Sequence, residues 1–207
     1  GVFGACRVGD GLVEMMCQGM RAGYSAAEYC KGRSLPATDE KQADRLLDKL
    51  LGLFENRGGR SPIEFYQSIE DICDRGFGII RTEEKLRLAL EELQALKAEW
   101  PTLTLSTRSR SYNAEWLWAL QAENLLTCCE AGVRAALLRR ESRGCHIRKD
   151  FPQVDHDRYL VKFVHQNGPN GMETCTRPPI RTKMDLPSGT CETVISYFLD
   201  PGLNYHR

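Results

Sequence analysis

Apolar residues recur every three or four positions through the middle of the chain, which is the spacing of one face of an α-helix. Three such segments run over about 61–76, 82–100 and 113–140, and the first two begin with Ser61 and Thr82, residue types that commonly cap a helix. An earlier segment ends at the glycines of NRGGR, and its apolar face consists of Leu46, Leu47, Leu50, Leu51, Leu53 and Phe54. The pattern predicts an antiparallel three- to four-helix bundle with short links.

The longest of these segments has a small residue in its interior. We expect the bundle-facing positions of 113–140 to include Leu117, Leu120, Leu125 and Leu138. Gly132 lies among them, and a glycine there either lets another helix pack closely or leaves a weak point in this helix.

The two ends of the chain follow a different pattern. Residues 1–8 form a short apolar run typical of a strand, and the turn 9–11 leads into a predicted helix that ends near residue 30. Near the other end, YLVKFVHQ and METCTRPPIRT flank the turn NGPNG and predict a β-hairpin, and TCETVISYFL predicts one more strand. The predicted fold class is therefore mainly α, with an N-terminal strand–helix piece and a small C-terminal β-hairpin region.

Composition narrows the function classes. Lys and Arg number 28, as do Asp and Glu, so the net charge is zero and nothing indicates the basic surface of a nucleic-acid-binding protein. No apolar run is long enough to predict a transmembrane segment, and GVFGACRVGD lacks the features of a signal peptide. The nine cysteines include no C-x-x-C pair, so we expect no metal site and a reducing, cytoplasmic location. Cys128 and Cys129 are expected to be core residues rather than a redox centre.

Four stretches resemble a known family: GFGIIRTEEKLRLALEEL, YNAEWLWALQAENLL, RRESRGCHIRKDFP and DRYLVKFVHQ. In this order they resemble the C-terminal helical region of succinate dehydrogenase and fumarate reductase flavoprotein subunits, a region shared with L-aspartate oxidase. The likeness covers residues 61 to about 180. The opening GVFGACRVGDGLVEMMCQGMRAGYSAAEYC is similar to the last strand and helix of the FAD-binding domain in such flavoproteins.

The resemblance implies a domain organisation and a reaction class. It divides the chain into the end of an FAD-binding domain (1–33), a linker and helix (34–60), a helical bundle (61–147), and a C-terminal hairpin and tail (148–207). It implies a component of an FAD-dependent oxidoreductase that is not active alone and shares FAD with residues outside this chain. The implied partners are the remaining FAD-binding half and an iron–sulfur electron-transfer subunit, in the cytoplasm or peripheral to a membrane complex. The alternative is a non-catalytic docking module that joins a flavin domain to an electron-transfer subunit.

The resemblance also assigns flavin contacts to the opening segment. A strand that runs through a glycine-rich turn into a helix points backbone N–H groups at one spot, which suits the flavin O2 carbonyl. The expected cofactor-binding residues are Arg7, Gly9, Asp10, Gly11, Leu12 and Val13. Arg7 replaces the acidic residue that the family usually carries beside the ribityl chain. In a second register, which we favour less, Arg7 falls on the arginine that grips a dicarboxylate substrate.

The most polar stretch, ESRGCHIRKD, has two interpretations. As a catalytic cluster, it would use His146 or Arg143 as a proton donor near the substrate. As a structural motif, Glu141, Arg143, His146 and Arg148 would form a buried interdomain network that docks the bundle on the flavin domain. The resemblance favours the structural interpretation, because this motif lies outside the family's hydride- and proton-transfer residues. The catalytic residues therefore remain unassigned.

Overall fold

The computed structural model of the chain describes residues 11–169, 171–180 and 185–192. Its helices are α1 (Gly11–Cys30), α2 (Glu40–Gly52), α3 (Pro62–Gly76), α4 (Glu83–Glu99), α5 (Ala114–Leu138) and the one-turn α6 (His156–Tyr159). Its strands are β1 (Ile80–Arg81), β2 (Ile147–Arg148), β3 (Gln153–Asp155), β4 (Lys162–Gly168), β5 (Gly171–Arg177) and β6 (Thr190–Glu192). The strand predicted over residues 1–8 lies outside the described residues.

The bundle consists of α3, α4 and α5, each of which packs on the other two. Its fully buried side chains are supplied by all three helices and include Phe65, Ile69, Leu86, Leu93, Leu126 and Val133. This arrangement confirms the predicted mainly α fold with a small β region.

Local capping explains where the three bundle helices begin. The side-chain oxygens of Ser61, Thr82 and Asn113 each accept a hydrogen bond from the backbone N–H three residues further on, at 3.3, 3.3 and 3.0 Å. Each bond satisfies one of the N–H groups that the first turn of a helix leaves without a partner. These starts agree with those predicted from the sequence.

Two glycines set how closely the elements approach. A Cβ atom on Gly76, at the end of α3, would lie 2.5 Å from the Cβ of Ala89 on α4. A Cβ atom on Gly132, in the middle of α5, would lie 2.8 Å from Cζ of Phe77. Gly132 therefore permits close packing, but against the ring of Phe77, which follows the end of α3, rather than against another helix as expected.

Several leucines predicted to be buried are exposed. Leu46 and Leu47 of α2 are both more than half exposed. The buried residues of this region are Leu53 and Phe54, which follow the last turn of α2. Leu117 is 55% exposed and Leu138 48% exposed, so the predicted inner face of α5 was wrong at both positions.

Among the described residues, the strands form three pairs. β4 and β5 form the predicted antiparallel hairpin, from Lys162 opposite Arg177 to Gly168 opposite Gly171. β6 pairs antiparallel with β3 and not with the hairpin. It is the part of the last predicted strand that the structure describes. β1 pairs in parallel with β2 and so joins the segment after α3 to the segment after α5.

A helix that crosses a bilayer needs about 20 predominantly apolar residues. Within the described ranges, no helix combines the length and apolar character needed to cross a membrane.

Candidate functional site

The polar segment that follows α5 folds back on the end of that helix. A tight turn makes this possible: Arg143 N–H donates to the His146 carbonyl at 2.8 Å, and His146 N–H donates to the Arg143 carbonyl at 2.9 Å. Gly144 lies in this turn with a φ of 55°, a conformation that glycine adopts at low cost. The turn directs the side chains on either side of it into the protein.

Glu141 is the centre of the resulting network and is fully buried. Its Oε1 accepts hydrogen bonds from Arg139 Nη1 at 2.5 Å and from Arg143 Nε at 2.7 Å. Its Oε2 accepts from Arg143 Nη2 at 2.9 Å and from the backbone N–H of Asp155 at 2.8 Å. One carboxylate therefore holds two guanidinium groups and fixes the end of β3, where α6 begins.

The hydrogen bonds decide the charge of Glu141. Burial opposes ionisation of the carboxyl group, but the bonds from Arg143, from the Asp155 backbone and from Arg139 outweigh it. The pKa of Glu141 consequently lies below its ordinary value, and the side chain is a carboxylate. The network is a set of paired buried charges rather than a store of exchangeable protons.

Arg148 and Asp150 join the ends of two helices. Fully buried Arg148 donates from Nη1 to the Ala136 carbonyl in the last turn of α5, at 2.7 Å. Its Nε and Nη2 each donate to a different oxygen of Asp150, both at 2.8 Å. Asp150 Oδ2 also accepts from the backbone N–H of Glu83 in the first turn of α4, at 2.8 Å. The cation lies at the negative end of α5 and the anion at the positive end of α4, which favours both charges.

His146 is held in one protonation state. Its Nδ1 lies 3.2 Å from Nη1 of Arg81, and since a guanidinium only donates, Nδ1 must accept. Its Nε2 lies 3.0 Å from the Arg139 carbonyl and must therefore carry the proton. Burial, and the nearby charges of Arg81, Arg139 and Arg148, lower the pKa of His146 to about 4. The imidazole is neutral near pH 7, and its single ring proton is already donated.

An open groove of about 330 Å³ lies beside the network. Its floor is apolar, with Phe77 and three small residues of α5, and its polar rim includes Arg81, Cys145 and His146. Arg81 also stacks over Phe77, with its guanidinium carbon 4.7 Å from the ring centroid. His146 offers no free proton, so the groove is poorly suited to acid–base chemistry. Its apolar surface and positive rim suit binding better.

The structure thus brings together all four residues predicted for the polar network: Glu141, Arg143, His146 and Arg148. It adds three residues described above that sequence reasoning missed, namely Arg81, Arg139 and Asp155. Two more were also missed: the Ser142 hydroxyl accepts from Arg148 N–H at 2.8 Å, and His156 Nδ1 lies 3.1 Å from Arg143 Nη1. Arg139 immediately precedes the motif and could have been included from its position. Arg81 is 65 residues away from His146 in the chain, and only the parallel pairing of β1 with β2 brings the two together.

The predicted flavin-contact residues are described only in part. Arg7, Gly9 and Asp10 lie outside the described residues. Gly11, Leu12 and Val13 form the first turn of α1, and the side chain of Leu12 is exposed. In the part of the chain that the structure describes, no three His, Cys, Asp or Glu residues are placed so that they could hold a metal ion.

The fold is that of a known class of protein. The family model described as fumarate reductase flavoprotein C-term matches residues 66–189. The chain therefore belongs to the family of C-terminal regions of succinate dehydrogenase and fumarate reductase flavoproteins, as the resemblance implied.

Individual relatives agree with the family match. The chain is 30% identical to a fumarate reductase flavoprotein subunit of Mycobacterium tuberculosis over 175 residues, which is 80% of this chain and 30% of that protein. It is 27% identical to the corresponding subunit of Haemophilus influenzae over 174 residues, 81% of this chain and 29% of that one. The Sdh1 complex of Mycobacterium smegmatis in the apo form contains a similar chain, with a TM-score of 0.72 and 29% identity over 81% of this chain and 29% of that chain. This chain spans less than a third of the length of these relatives.

Proposed function

We propose that this chain is a component of an FAD-dependent oxidoreductase that transfers two electrons between FAD and a C–C bond of a succinate- or fumarate-like substrate. The observation that carries the proposal is the family match over residues 66–189, together with curated relatives that are flavoprotein subunits. In this proposal, residues 1–33 complete a flavin site whose larger part, including the site for the ADP half of FAD, lies outside this chain. FAD itself supplies the redox chemistry.

The exposed apolar surface of α1 supports the proposal that this helix packs against a partner. Leu12, Met15, Met16, Met20 and Tyr24 are all more than 60% exposed, although α1 is a 20-residue helix with apolar side chains. Exposed apolar surface of this extent commonly marks an interaction site. We assign it to the remaining FAD-binding half of the flavoprotein, of which 1–33 would be the last strand and helix.

The buried network has a structural role in this proposal. Glu141 pairs with two arginines, and Asp150 pairs with Arg148, so removing either carboxylate leaves a buried arginine without that partner. The network shapes the groove edged by Arg81 and His146, which we propose faces the flavin domain. The observations on His146 favour this role over that of a proton donor.

The proposed location and electron-transfer partner are inferred from the similar proteins. Similar chains were solved within the Mycobacterium smegmatis Sdh1 complex, which supports a multi-subunit assembly. We propose that an iron–sulfur subunit receives or supplies the electrons, and that the protein is cytoplasmic or peripheral to a membrane complex.

The experiment that tests the proposal is assembly with the missing flavin-binding part. The chain and a polypeptide supplying that part are produced together, purified as a complex, and examined for flavin absorbance and for fumarate reduction or succinate oxidation. A yellow complex that turns over either substrate supports the oxidoreductase. A stable but colourless and inactive complex would instead support the alternative, a docking module.

A further inference from the structure

Two cysteines from different helices meet inside the bundle, and this feature is independent of the flavin role. Cys73 lies in the last turns of α3 and Cys129 in the middle of α5, 56 positions further along the chain. Their Sγ atoms are 3.4 Å apart. Cys129 is buried among the core residues, whereas Cys73 is half-buried and borders them.

We propose that Cys73 and Cys129 are a redox-active dithiol that forms a reversible disulfide between α3 and α5 when the protein meets a small hydroperoxide. The sulfur atoms need to approach by only about 1.3 Å to reach a disulfide bond length, a movement that two side chains can share. The adjacent Cys128 is exposed, so the expectation that both cysteines are core residues was wrong for Cys128; adjacent helical residues face different directions.

The environment of the pair supplies a nucleophile. The hydrogen bond from Cys73 lowers the pKa of Cys129 to about 7, despite burial, so a thiolate is available near neutral pH. The same hydrogen bond, followed by burial, raises the pKa of Cys73, which keeps its proton and acts as the donor. One thiol is thus poised to attack while the other is poised to resolve.

The reaction balances with one hydroperoxide per pair. The Cys129 thiolate attacks one oxygen of hydrogen peroxide, so that an S–O bond forms, the O–O bond breaks and hydroxide leaves. The sulfur of Cys73 then attacks the sulfenic sulfur of Cys129, the S–O bond breaks, and water leaves with the proton of the Cys73 thiol. The hydroxide takes up the proton that the Cys129 thiol released on ionisation, so in total two thiols and one peroxide give one disulfide and two waters. A small oxidant is required because Cys129 is only 8% exposed.

Trypsin gives the test a clear readout. Cleavage after Arg60, Arg75, Arg110 and Arg134 releases one peptide with Cys73 alone and another with Cys128 and Cys129. The reduced chain is treated with one equivalent of hydrogen peroxide, its free thiols are alkylated, and the digest is analysed by mass spectrometry with and without a reducing agent. The variants are Cys73→Ser, Cys129→Ser and, as the matched control, Cys128→Ser.

We expect the wild type and Cys128→Ser to lose two alkylatable thiols and to yield the two peptides linked, with reversal by dithiothreitol. The cross-link should also raise the thermal midpoint by about 5–10 °C, since it closes a long loop in the unfolded chain. Cys73→Ser and Cys129→Ser should give no linked peptide and no rise in midpoint. If Cys129→Ser does not fold, the test rests on Cys73→Ser. That variant should fold, because the Cys73 side chain is only half-buried.

Three results would overturn the proposal. Both thiols could remain alkylatable after peroxide treatment. The peptides could be linked in Cys129→Ser but not in Cys128→Ser, which would assign the bond to the exposed neighbour. The linked species could also prove to be an intermolecular dimer on a non-reducing gel.

Discussion

At the scale of single residues, the buried charges near α5 are stabilised by pairing and not by solvent. Glu141 accepts four hydrogen bonds while fully buried, so its desolvation is offset by two guanidinium groups and a backbone N–H. His146, in contrast, is buried in its uncharged form. It remains neutral chiefly because burial disfavours the charged imidazolium, and also because a second proton would add a positive charge where three arginines already lie close.

The neutral state of His146 predicts how stability depends on pH. The unfolded chain binds a proton at this histidine near its ordinary value of 6.5, whereas the folded chain does so only near 4. The contribution to stability is therefore fully present above pH 6.5 and is lost as the pH falls from 6.5 to 4. We expect urea unfolding of the wild type to show a loss of about 1–3 kcal/mol across this interval.

His146→Gln is the matched variant, because glutamine can accept from Arg81 and donate to the Arg139 carbonyl without titrating. We expect this variant to lose most of the pH dependence between 6.5 and 4. It should keep the further loss at lower pH that comes from Glu141, Glu130 and Asp150, whose pKa values are lowered in the folded chain. An unchanged slope between 6.5 and 4 in the variant would show that His146 is not the group responsible.

Arg7 gives a second prediction at this scale, which rests on the proposed flavin role. A guanidinium about 6 Å from the flavin, with an effective dielectric of about 20, would favour the anionic reduced flavin by about 3 kcal/mol before screening. Solvent and the neighbouring Asp10 should reduce this to about 1 kcal/mol. Arg7→Gln in the assembled complex should therefore lower the flavin reduction potential by tens of millivolts, on the order given by the same Coulomb relation.

Redox titration of the two complexes measures that shift. Retained dicarboxylate binding with a lowered potential would support the register that places Arg7 beside the ribityl chain. An unchanged potential with lost dicarboxylate binding would support the other register, in which Arg7 grips the substrate.

At the scale of elements, the bundle is held by close packing in its middle and by paired charges at its ends. Arg148 and Asp150 connect the last turn of α5 to the first turn of α4, and each charge faces the favourable end of a helix dipole. Gly76 lets α3 end directly against α4, where Ala89 and the Lys85 carbonyl leave no room for a side chain.

Gly76→Ala tests the closeness of that contact. The added methyl group would lie 2.5 Å from the Ala89 Cβ and 2.9 Å from the Lys85 carbonyl oxygen, so we expect a loss of about 1–3 kcal/mol in the free energy of unfolding. Gly52→Ala is the control, since Gly52 also ends a helix but has no atom within 4 Å of the added carbon. Denaturant unfolding of both variants should separate crowding from helix propensity. Equal effects of the two substitutions would contradict the packing argument.

The elements that sequence reasoning predicted well depend on neighbouring residues. Ser61, Thr82 and Asn113 cap helices by bonding to the backbone three positions away, and such short-range patterns are visible in the sequence. Leu117 and Leu138 were misplaced because α5 is apolar over much of its circumference, so periodicity alone cannot tell which stripe faces α3 and α4. The bond from Glu83 N–H to Asp150 joins residues 67 positions apart, and no local pattern indicates it.

At the scale of the whole molecule, this chain combines a self-contained bundle with a segment that lacks its own core. α3, α4 and α5 bury their apolar faces on one another, whereas the described side chains of α1 are exposed. The chain also spans only about 29–30% of the relatives that it matches. A helix with apolar residues and no partner in the described part of the chain is what the end of a larger flavin-binding domain would contribute.

The whole-molecule proposal makes a direct prediction about the cofactor. The sequence contains no G-x-G-x-x-G motif, which in a βαβ unit binds the pyrophosphate of a dinucleotide. We therefore expect the isolated 207-residue chain, mixed with excess FAD and passed through a desalting column, to emerge without flavin absorbance. Cooperative thermal unfolding of the same sample would show that the bundle is folded, so that a colourless protein reflects a missing binding half and not a denatured one. The matched measurement on the complex with the flavin-binding part should show about one FAD per chain, as expected for a single dinucleotide site. Stoichiometric FAD on the isolated chain would contradict the shared site and would place the whole cofactor site within these residues.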